Sequence, residues 1–153
     1  TSVIAKAMTE FHPADSDVEK RVGEHLTVWN VLEEHPLLSA RIIIPGATGF
    51  DKELFQNYYR NSTEKAIRLR KNHISGLNHI SSWQSRDPKN NEWGGAILAE
   101  REAGSLVFSF SGLQECDDEY LMLELAGRMG MLVRSTADKV MYFSQNRWLD
   151  FIK

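Results

Sequence analysis

Residues 105–111 alternate between apolar and polar side chains, and this pattern constrains the fold more than any other stretch of the chain. The even positions are Leu106, Phe108 and Phe110, whereas serine occupies most of the odd positions. An extended chain directs successive side chains to opposite faces. The alternation therefore predicts a β-strand whose even positions lie in a hydrophobic core.

A second strand and a helix are predicted on either side of this strand. Residues 94–98 begin with two glycines and continue with apolar side chains, and residues 101–104 have the composition of a turn. The two strands therefore form a β-hairpin. A run of three acids that starts at Asp117 predicts the first turn of a helix, because the helix dipole is positive at that end.

The remaining elements are predicted from similar local patterns. They are strands at 26–32 and 37–44 that form another hairpin, a short helix that ends at His25, a helix from Asp51 to His73, an exposed loop at 85–91 and a last helix at 135–151.

Together these elements predict an α+β fold, in which helices pack on an antiparallel β-sheet. The chain has 153 residues, of which 42% are hydrophobic and 25% are charged, so a single domain over 1–153 can bury a core. We expect the core to span residues 26–132, with residues 135–151 as a C-terminal helical extension.

Charge and composition argue against several classes of partner. The formal net charge is −3, so we expect no general attraction to nucleic acid or to an anionic membrane. The basic group Arg68, Arg70 and Lys71 is too small to change this expectation. No run of 18 apolar residues occurs, so no membrane span is expected. The single cysteine, Cys116, favours a cytoplasmic location, because it cannot form an intramolecular disulfide.

Several short motifs occur in an order that is found in a known family. They are Gly94-Gly95-Ala96-Ile97-Leu98, Ser111-Gly112-Leu113 before Asp117-Asp118, Ile44-Pro45-Gly46-Ala47-Thr48, and Lys65-Ala66. In this order the chain resembles the haem-degrading-domain superfamily, which includes small haem-binding and glycolate-operon proteins. It departs from the family pattern at Ala96, where a proline usually follows the two glycines.

The resemblance implies a profilin- or roadblock-like α-β sandwich that assembles as a homo-oligomer. It also implies a small-molecule ligand, with haem as a candidate cofactor. In some members an N-terminal histidine is implicated in haem binding, and His12 and His25 lie in the corresponding region of this chain.

Six residues are predicted to contact a ligand: Arg60, Lys65, Arg68, His73, Gly94 and Gly95. Lys65 and Arg68 are three positions apart on the long helix and share a face, where they can hold a carboxylate or a haem propionate. The alternative is a solvated face that is paired with Glu64 or Glu53.

The other candidates also have two interpretations each. His73 can ligate haem iron, or it can stabilise the C-terminus of its helix as a cation. Gly94 and Gly95 can let a ligand approach the backbone, or they can permit a bend before the strand. Trp83 and Trp93 flank the polar loop, where they can line a pocket or anchor the core.

The sequence contains no evident catalytic constellation. Acids near Cys116 oppose formation of a thiolate, so we expect this cysteine to be unreactive. The spacing of the histidines offers no structural zinc site.

The leading hypothesis is an oligomeric ligand-binding protein for haem or a small carboxylate. Two alternatives stay open. One is an enzyme that acts on a small organic acid held by Lys65 or Arg68, and the other is an interaction module without a ligand. We expect any site to lie between the sheet and the helix at residues 51–73.

Overall fold

The computed structural model describes residues 24–43, 51–102 and 104–146. The strands are β1 (Glu24–Asn30), β2 (Leu38–Ile42), β3 (Ala96–Arg101) and β4 (Gly104–Ser111), and the helices are α1 (Lys52–Asn72), α2 (Glu115–Arg128) and α3 (Arg134–Ser144). A π-helical turn at His73–Leu77 and 3₁₀ turns at Ser82–Ser85 and Pro88–Asn90 connect α1 to β3. None of the helices in the described ranges is long and apolar enough to cross a lipid bilayer.

The four strands form one antiparallel sheet in the order β2-β1-β4-β3. Phe108 of β4 lies between Val28 of β1 and Ile97 of β3 in this register. Both predicted hairpins are confirmed. The predicted α+β class, with helices packed on an antiparallel sheet, is confirmed as well.

Helices cover both faces of the sheet, and the alternation of each strand decides which helix a side chain meets. Phe108 and Phe110 lie on the face that packs against α2 and α3. Val107, between them in sequence, faces Ala66 and Leu69 of α1. The even positions of β4 are therefore in the core, as predicted, but the odd positions are covered too.

The odd-numbered serines of β4 show how α1 approaches the sheet so closely. Ser109 is buried, and its hydroxyl donates to the backbone carbonyl of Ser62 on α1, at 2.7 Å. A small side chain leaves room for the helix, and its hydroxyl is satisfied by that bond. The alternation alone predicted only that these serines lie on the other face of the sheet from the phenylalanines.

The long helix α1 begins after a side-chain cap at Asp51, the residue at which the sequence predicted that the helix starts. The Asp51 carboxylate accepts from the backbone N–H groups of Glu53 and Leu54, at 3.0 Å each. The helix gives way to the π-helical turn at His73, where Gly76 adopts a φ of 87°. Lys65 is unusual on this helix because it lies on the buried face with Ala66 and Leu69.

Most predicted boundaries differ from the structure. Strand β1 is Glu24–Asn30 rather than 26–32, β2 is Leu38–Ile42 rather than 37–44, and β3 begins at Ala96 rather than Gly94.

Glu24 and His25 lie in β1, so the predicted short helix cannot end at His25. The earlier part of that helix lies outside the described residues, as do His12 and the Pro45-Gly46 turn. Helix α2 begins at Glu115, two residues before the predicted start. Helix α3 ends at Ser144, because Gln145 adopts a left-handed φ of 54°.

The last described helix belongs to the core rather than to an extension. Val140 of α3 is fully buried in the cluster that contains Phe108 and Phe110. The core therefore continues past residue 132, where the sequence predicted that it would stop.

Candidate functional site

A buried ion pair joins the helices that cover opposite faces of the sheet. The Lys65 ammonium of α1 lies 2.8 Å from the Asp118 carboxylate of α2, and both side chains are almost fully buried. Lys65 also donates to the Phe110 carbonyl at 2.9 Å. The second Asp118 oxygen accepts from the Leu113 backbone N–H at 2.9 Å. The pair is thus held by bonds from the end of β4 and the loop that follows it.

Gly95 makes room for this pair. Its φ is +109°, which side-chain-bearing residues rarely adopt. A Cβ at this position would lie 2.7 Å from the Cβ of Asp118 and 2.9 Å from the Lys65 ammonium. Gly95 therefore permits a bend before β3 and also lets the side chains of Lys65 and Asp118 approach the backbone closely.

Burial dominates the ionisation of Asp118. It raises the pKa of this carboxyl to about 6, although the Lys65 charge and the hydrogen bonds from Lys65 and Leu113 act in the opposite direction. Asp118 can therefore exchange a proton near neutral pH.

The ion pair forms part of the wall of a cavity of about 460 Å³, which we name the Lys65 cavity. Its other walls include Tyr58, Asn61, Trp83, Trp93, Glu115 and Cys116. The cavity lies where α1, the end of β4, the start of α2 and the two tryptophans meet. This is at one end of the region between the sheet and α1 where the sequence predicted a site.

An arginine–carboxylate pair stabilises the tryptophan side of the cavity. Arg86 donates twice to Glu115, at 2.7 Å each, and its guanidinium lies over the rings of Trp83 and Trp93, at 5.1 and 5.8 Å. The Gly94 N–H donates to the same Glu115 carboxylate at 2.6 Å. Burial acts to raise the pKa of Glu115, but these hydrogen bonds outweigh it and hold the pKa below its ordinary value.

Arg68 positions the tryptophan-bearing segment rather than facing the cavity. Its guanidinium donates to the carbonyls of Ser82, Ser85 and Trp93, at 3.0, 2.9 and 2.6 Å, and pairs with Glu64 at 2.6 Å. The prediction that Arg68 and Lys65 share a ligand-facing surface is wrong, because the Lys65 ammonium bonds Asp118 beside the cavity, whereas the Arg68 guanidinium is used on this segment.

Of the other predicted residues, the two glycines adjoin the cavity, whereas Arg60 and His73 lie outside it. Gly94 and Gly95 adjoin the cavity, because Gly94 lies against the Trp83 indole and Gly95 lies against the ion pair. Arg60 is exposed and bonds Asn57. His73 lies 3.8 Å from Glu100. Neither Arg60 nor His73 lines the Lys65 cavity.

Asp118 is the main residue that sequence reasoning missed. The run of acids at 117–119 predicts only that it lies in the first turn of a helix. Its spacing of four from Met122 and seven from Leu125 places all three on one helical face, and Met122 is fully buried. This periodicity was a readable signal that Asp118 is buried, although it could not reveal the partner.

Cys116 also lines the cavity, and its thiol is held in the neutral form. Burial raises the pKa of Cys116, and the nearby carboxylates of Glu119, Asp117 and Glu115 raise it further. The acids near Cys116 thus oppose formation of a thiolate, as the sequence predicted.

Comparison with protein-family models, with curated proteins and with solved structures finds no match to this chain. The resemblance to the haem-degrading-domain superfamily is therefore carried by the sequence motifs alone.

The residues around the Lys65 cavity do not suit haem. No described histidine lines it, and its haem-ligating side chains are Tyr58 and the neutral thiol of Cys116. His25 is buried, with one ring nitrogen 3.0 Å from the Ser62 hydroxyl and the other 3.1 Å from the Ser39 hydroxyl. Burial lowers the pKa of His25. Its bonded nitrogens leave no free position for iron.

Among the described residues, no group of three or more histidine, cysteine, aspartate or glutamate side chains could hold a metal ion.

Proposed function

We propose that the chain binds a small organic ligand in the Lys65 cavity, with a carboxylate or carbonyl oxygen of the ligand at the Lys65 ammonium. An ammonium group has three N–H donors. Phe110 and Asp118 accept two of them, and no other described group accepts the third. A buried donor at a cavity wall, with an N–H to spare, is the observation that carries this proposal.

The walls of the cavity favour a ligand with a planar part. Tyr58, Trp83 and Trp93 supply aromatic surface, and aromatic rings bind planar apolar groups well. Small-molecule pockets typically have volumes of about 300–1,000 Å³ and combine apolar walls with a few polar groups. The Lys65 cavity fits this description in both size and composition.

The charges near Lys65 restrict the ligand further. Asp118 and Glu115 both line the cavity, so an anionic ligand meets negative charge as well as the ammonium. A neutral carbonyl avoids this repulsion. A carboxylate is best accepted when Asp118 is protonated, which its pKa of about 6 allows in mildly acidic solution.

Binding is favoured over catalysis by the chemistry of the cavity walls. Cys116 is the strongest nucleophile type among them, but its raised pKa keeps it protonated, and no described imidazole is adjacent to serve as a base. Haem is a weaker candidate, because no described histidine lines the cavity. Titration with haemin distinguishes haem from a small organic ligand, because specific binding of haem would give a saturable shift of its absorption band.

Self-association and a cytoplasmic location remain predictions that rest on the sequence. Light scattering on the purified protein would test the first of them directly.

A cavity-filling variant tests the proposed function without breaking the ion pair. Asn61 lies on α1 at the cavity wall, so Asn61→Trp should fill the space. Gln56→Trp is the matched control, because Gln56 is exposed on the same helix and lines no described cavity. The probes are benzamide, which is neutral, and benzoate, which carries a carboxylate.

We expect calorimetric titration to detect binding of at least one probe to the wild-type protein and to Gln56→Trp, and no binding to Asn61→Trp. Equal binding to both variants would place the probe elsewhere and contradict the proposal. Failure of both probes to bind at millimolar concentration would contradict it as well.

A further inference from the structure

A second cavity adjoins the Lys65 cavity and shares two wall residues with it. It has a volume of about 580 Å³, and Asn61 and Trp93 belong to both. Its own walls add Asn57, Asn90 and Asn91. We name this second space the asparagine annex. The two spaces meet at Asn61 and Trp93, so a ligand that passes the edge of Trp93 would contact both.

The annex is rich in side-chain amides that are available to a ligand. Among the described residues, the side chains of Asn61 and Asn91 bond no other group. Asn90 uses its NH₂ group on Asp87, at 2.7 Å, which leaves its amide oxygen. Asn57 uses its oxygen on Arg60, which leaves its NH₂ group. The same wall thus presents both donors and acceptors.

The charges in the annex offset one another. Arg60 and Glu64 lie in the same wall, and Glu64 is already paired with Arg68 at 2.6 Å. Arg60 donates to the Asn57 oxygen, so a phosphate that reached Arg60 would displace this bond and lie in the same wall as the Glu64 carboxylate. An uncharged polar group meets no such conflict.

Hydroxyl groups match this arrangement best, because each hydroxyl both donates and accepts a hydrogen bond, as does each amide side chain. The C–H face of a sugar ring also suits the face of Trp93, because an aromatic face carries partial negative charge. We propose that the asparagine annex binds a hydroxylated sugar ring attached to the planar group in the Lys65 cavity. This inference rests on the proposed function.

Two kinds of molecule share this chemistry, namely nucleosides and aryl glycosides. Each has a counterpart without the sugar, so affinity differences isolate the contribution of the annex. The matched probes keep the carbonyl that the proposed function requires: inosine against hypoxanthine, and 4-carbamoylphenyl β-D-glucoside against 4-hydroxybenzamide. The pair that gives the larger difference identifies the source of the sugar.

The variant Asn57→Ala/Asn91→Gly removes amides that line only the annex. Glycine is chosen at 91 because Asn91 has a φ of 57°, which alanine would disfavour. Gln56→Ala is the control, since it removes the same kind of group from the same helix outside both cavities. Calorimetric titration gives the dissociation constants.

We expect a sugar-bearing probe to bind the wild-type protein and Gln56→Ala at least about tenfold more tightly than its bare ring, which corresponds to about 1.4 kcal/mol. In Asn57→Ala/Asn91→Gly this advantage should disappear, while binding of the bare ring stays unchanged. Equal affinities for sugar-bearing and bare rings in the wild-type protein would overturn the annex proposal and leave the proposed function standing. If none of the four probes binds, and benzamide and benzoate also fail, both proposals are wrong.

Discussion

The ammonium of Lys65 lies 2.8 Å from the carboxylate of Asp118, although the two residues belong to helices on opposite faces of the sheet. The pair meets beyond the end of β4, where the Phe110 carbonyl and the Leu113 N–H complete its hydrogen bonds. It therefore ties α1 to α2 without passing through the hydrophobic clusters.

Replacing one partner of this pair should be much more harmful than replacing both. Lys65→Met leaves Asp118 buried without its counter-charge, and loss of one partner of a buried pair typically costs about 3–5 kcal/mol. Lys65→Met/Asp118→Leu removes both charges, so we expect most of that loss to be recovered. Urea unfolding at pH 7 measures the free energies. A double variant that is as unstable as Lys65→Met would show that the charge pair is not the cause.

The space at Gly95 can be tested against a glycine of similar conformation. Gly95 and Gly104 have φ values of +109° and +124°, but a Cβ at 104 would meet no atom within 4 Å. Both alanine variants therefore incur backbone strain, and only Gly95→Ala also crowds the ion pair. We expect Gly95→Ala to lose about 1–3 kcal/mol more unfolding free energy than Gly104→Ala. Equal losses of unfolding free energy in the two variants would mean that crowding of the ion pair at Gly95 does not affect stability.

Glu119 should make the stability of the fold depend on pH. This buried carboxyl of α2 accepts from Ser81 at 3.0 Å and from the hydroxyl of Ser144 at the end of α3. Burial raises its pKa to about 7, whereas the hydrogen bonds from Ser144, Ser81 and Asn146 act to lower it. The folded state thus binds a proton more tightly than the unfolded state does.

The sign of this effect follows from that raised pKa. Glu119 contributes stability fully below its unfolded value of 4.5, and this contribution is lost as the pH rises to about 7. Glu119→Gln mimics the protonated form, so it should gain stability relative to the wild-type protein between pH 5 and 8, by about 3 kcal/mol. Asp138→Asn, on the exposed side of α3, is the control. Parallel pH profiles for the wild-type protein and Glu119→Gln would contradict the prediction.

The affinity for a carboxylate ligand should depend on pH through Asp118. Of the acidic groups that line the Lys65 cavity, Glu115 has a lowered pKa and Cys116 a raised one, so neither changes charge near pH 6. Asp118, with a pKa of about 6, does. Benzoate should therefore bind more tightly at pH 5.5 than at pH 8, by up to about tenfold, and benzamide should not change. Calorimetry in matched buffers checks both, and identical profiles for the two probes would exclude Asp118 as the cause.

Local periodicity was sufficient to predict most of the elements. The alternation around Phe108 predicted a strand with two distinct faces, and the spacing from Asp51 to His73 predicted α1. The end of α3 was harder to predict, because Val140 and Phe143 continue an apolar pattern toward residues beyond Ser144, whereas a left-handed turn at Gln145 ends the helix.

The candidate site was only partly predictable. Three of the predicted residues adjoin the cavity: Lys65, Gly94 and Gly95. Arg68 was predicted to contact a ligand, but its donors bond the segment that carries the tryptophans. Helical spacing places Arg68 near Lys65, but Lys65 is buried against the Phe110 carbonyl of β4, whereas Arg68 contacts the segment that carries the tryptophans.

The sequence by itself determined most of the strands and helices and both hairpins, because each of these depends on residues that are close along the chain. Only the tertiary structure decided that Lys65 pairs with Asp118, 53 positions away. That contact exists because two helices on opposite faces converge beyond the end of β4, where Gly95 leaves room for both side chains. No local period encodes such a meeting, so the cavity beside it could be located only once the sheet and both helices were in place.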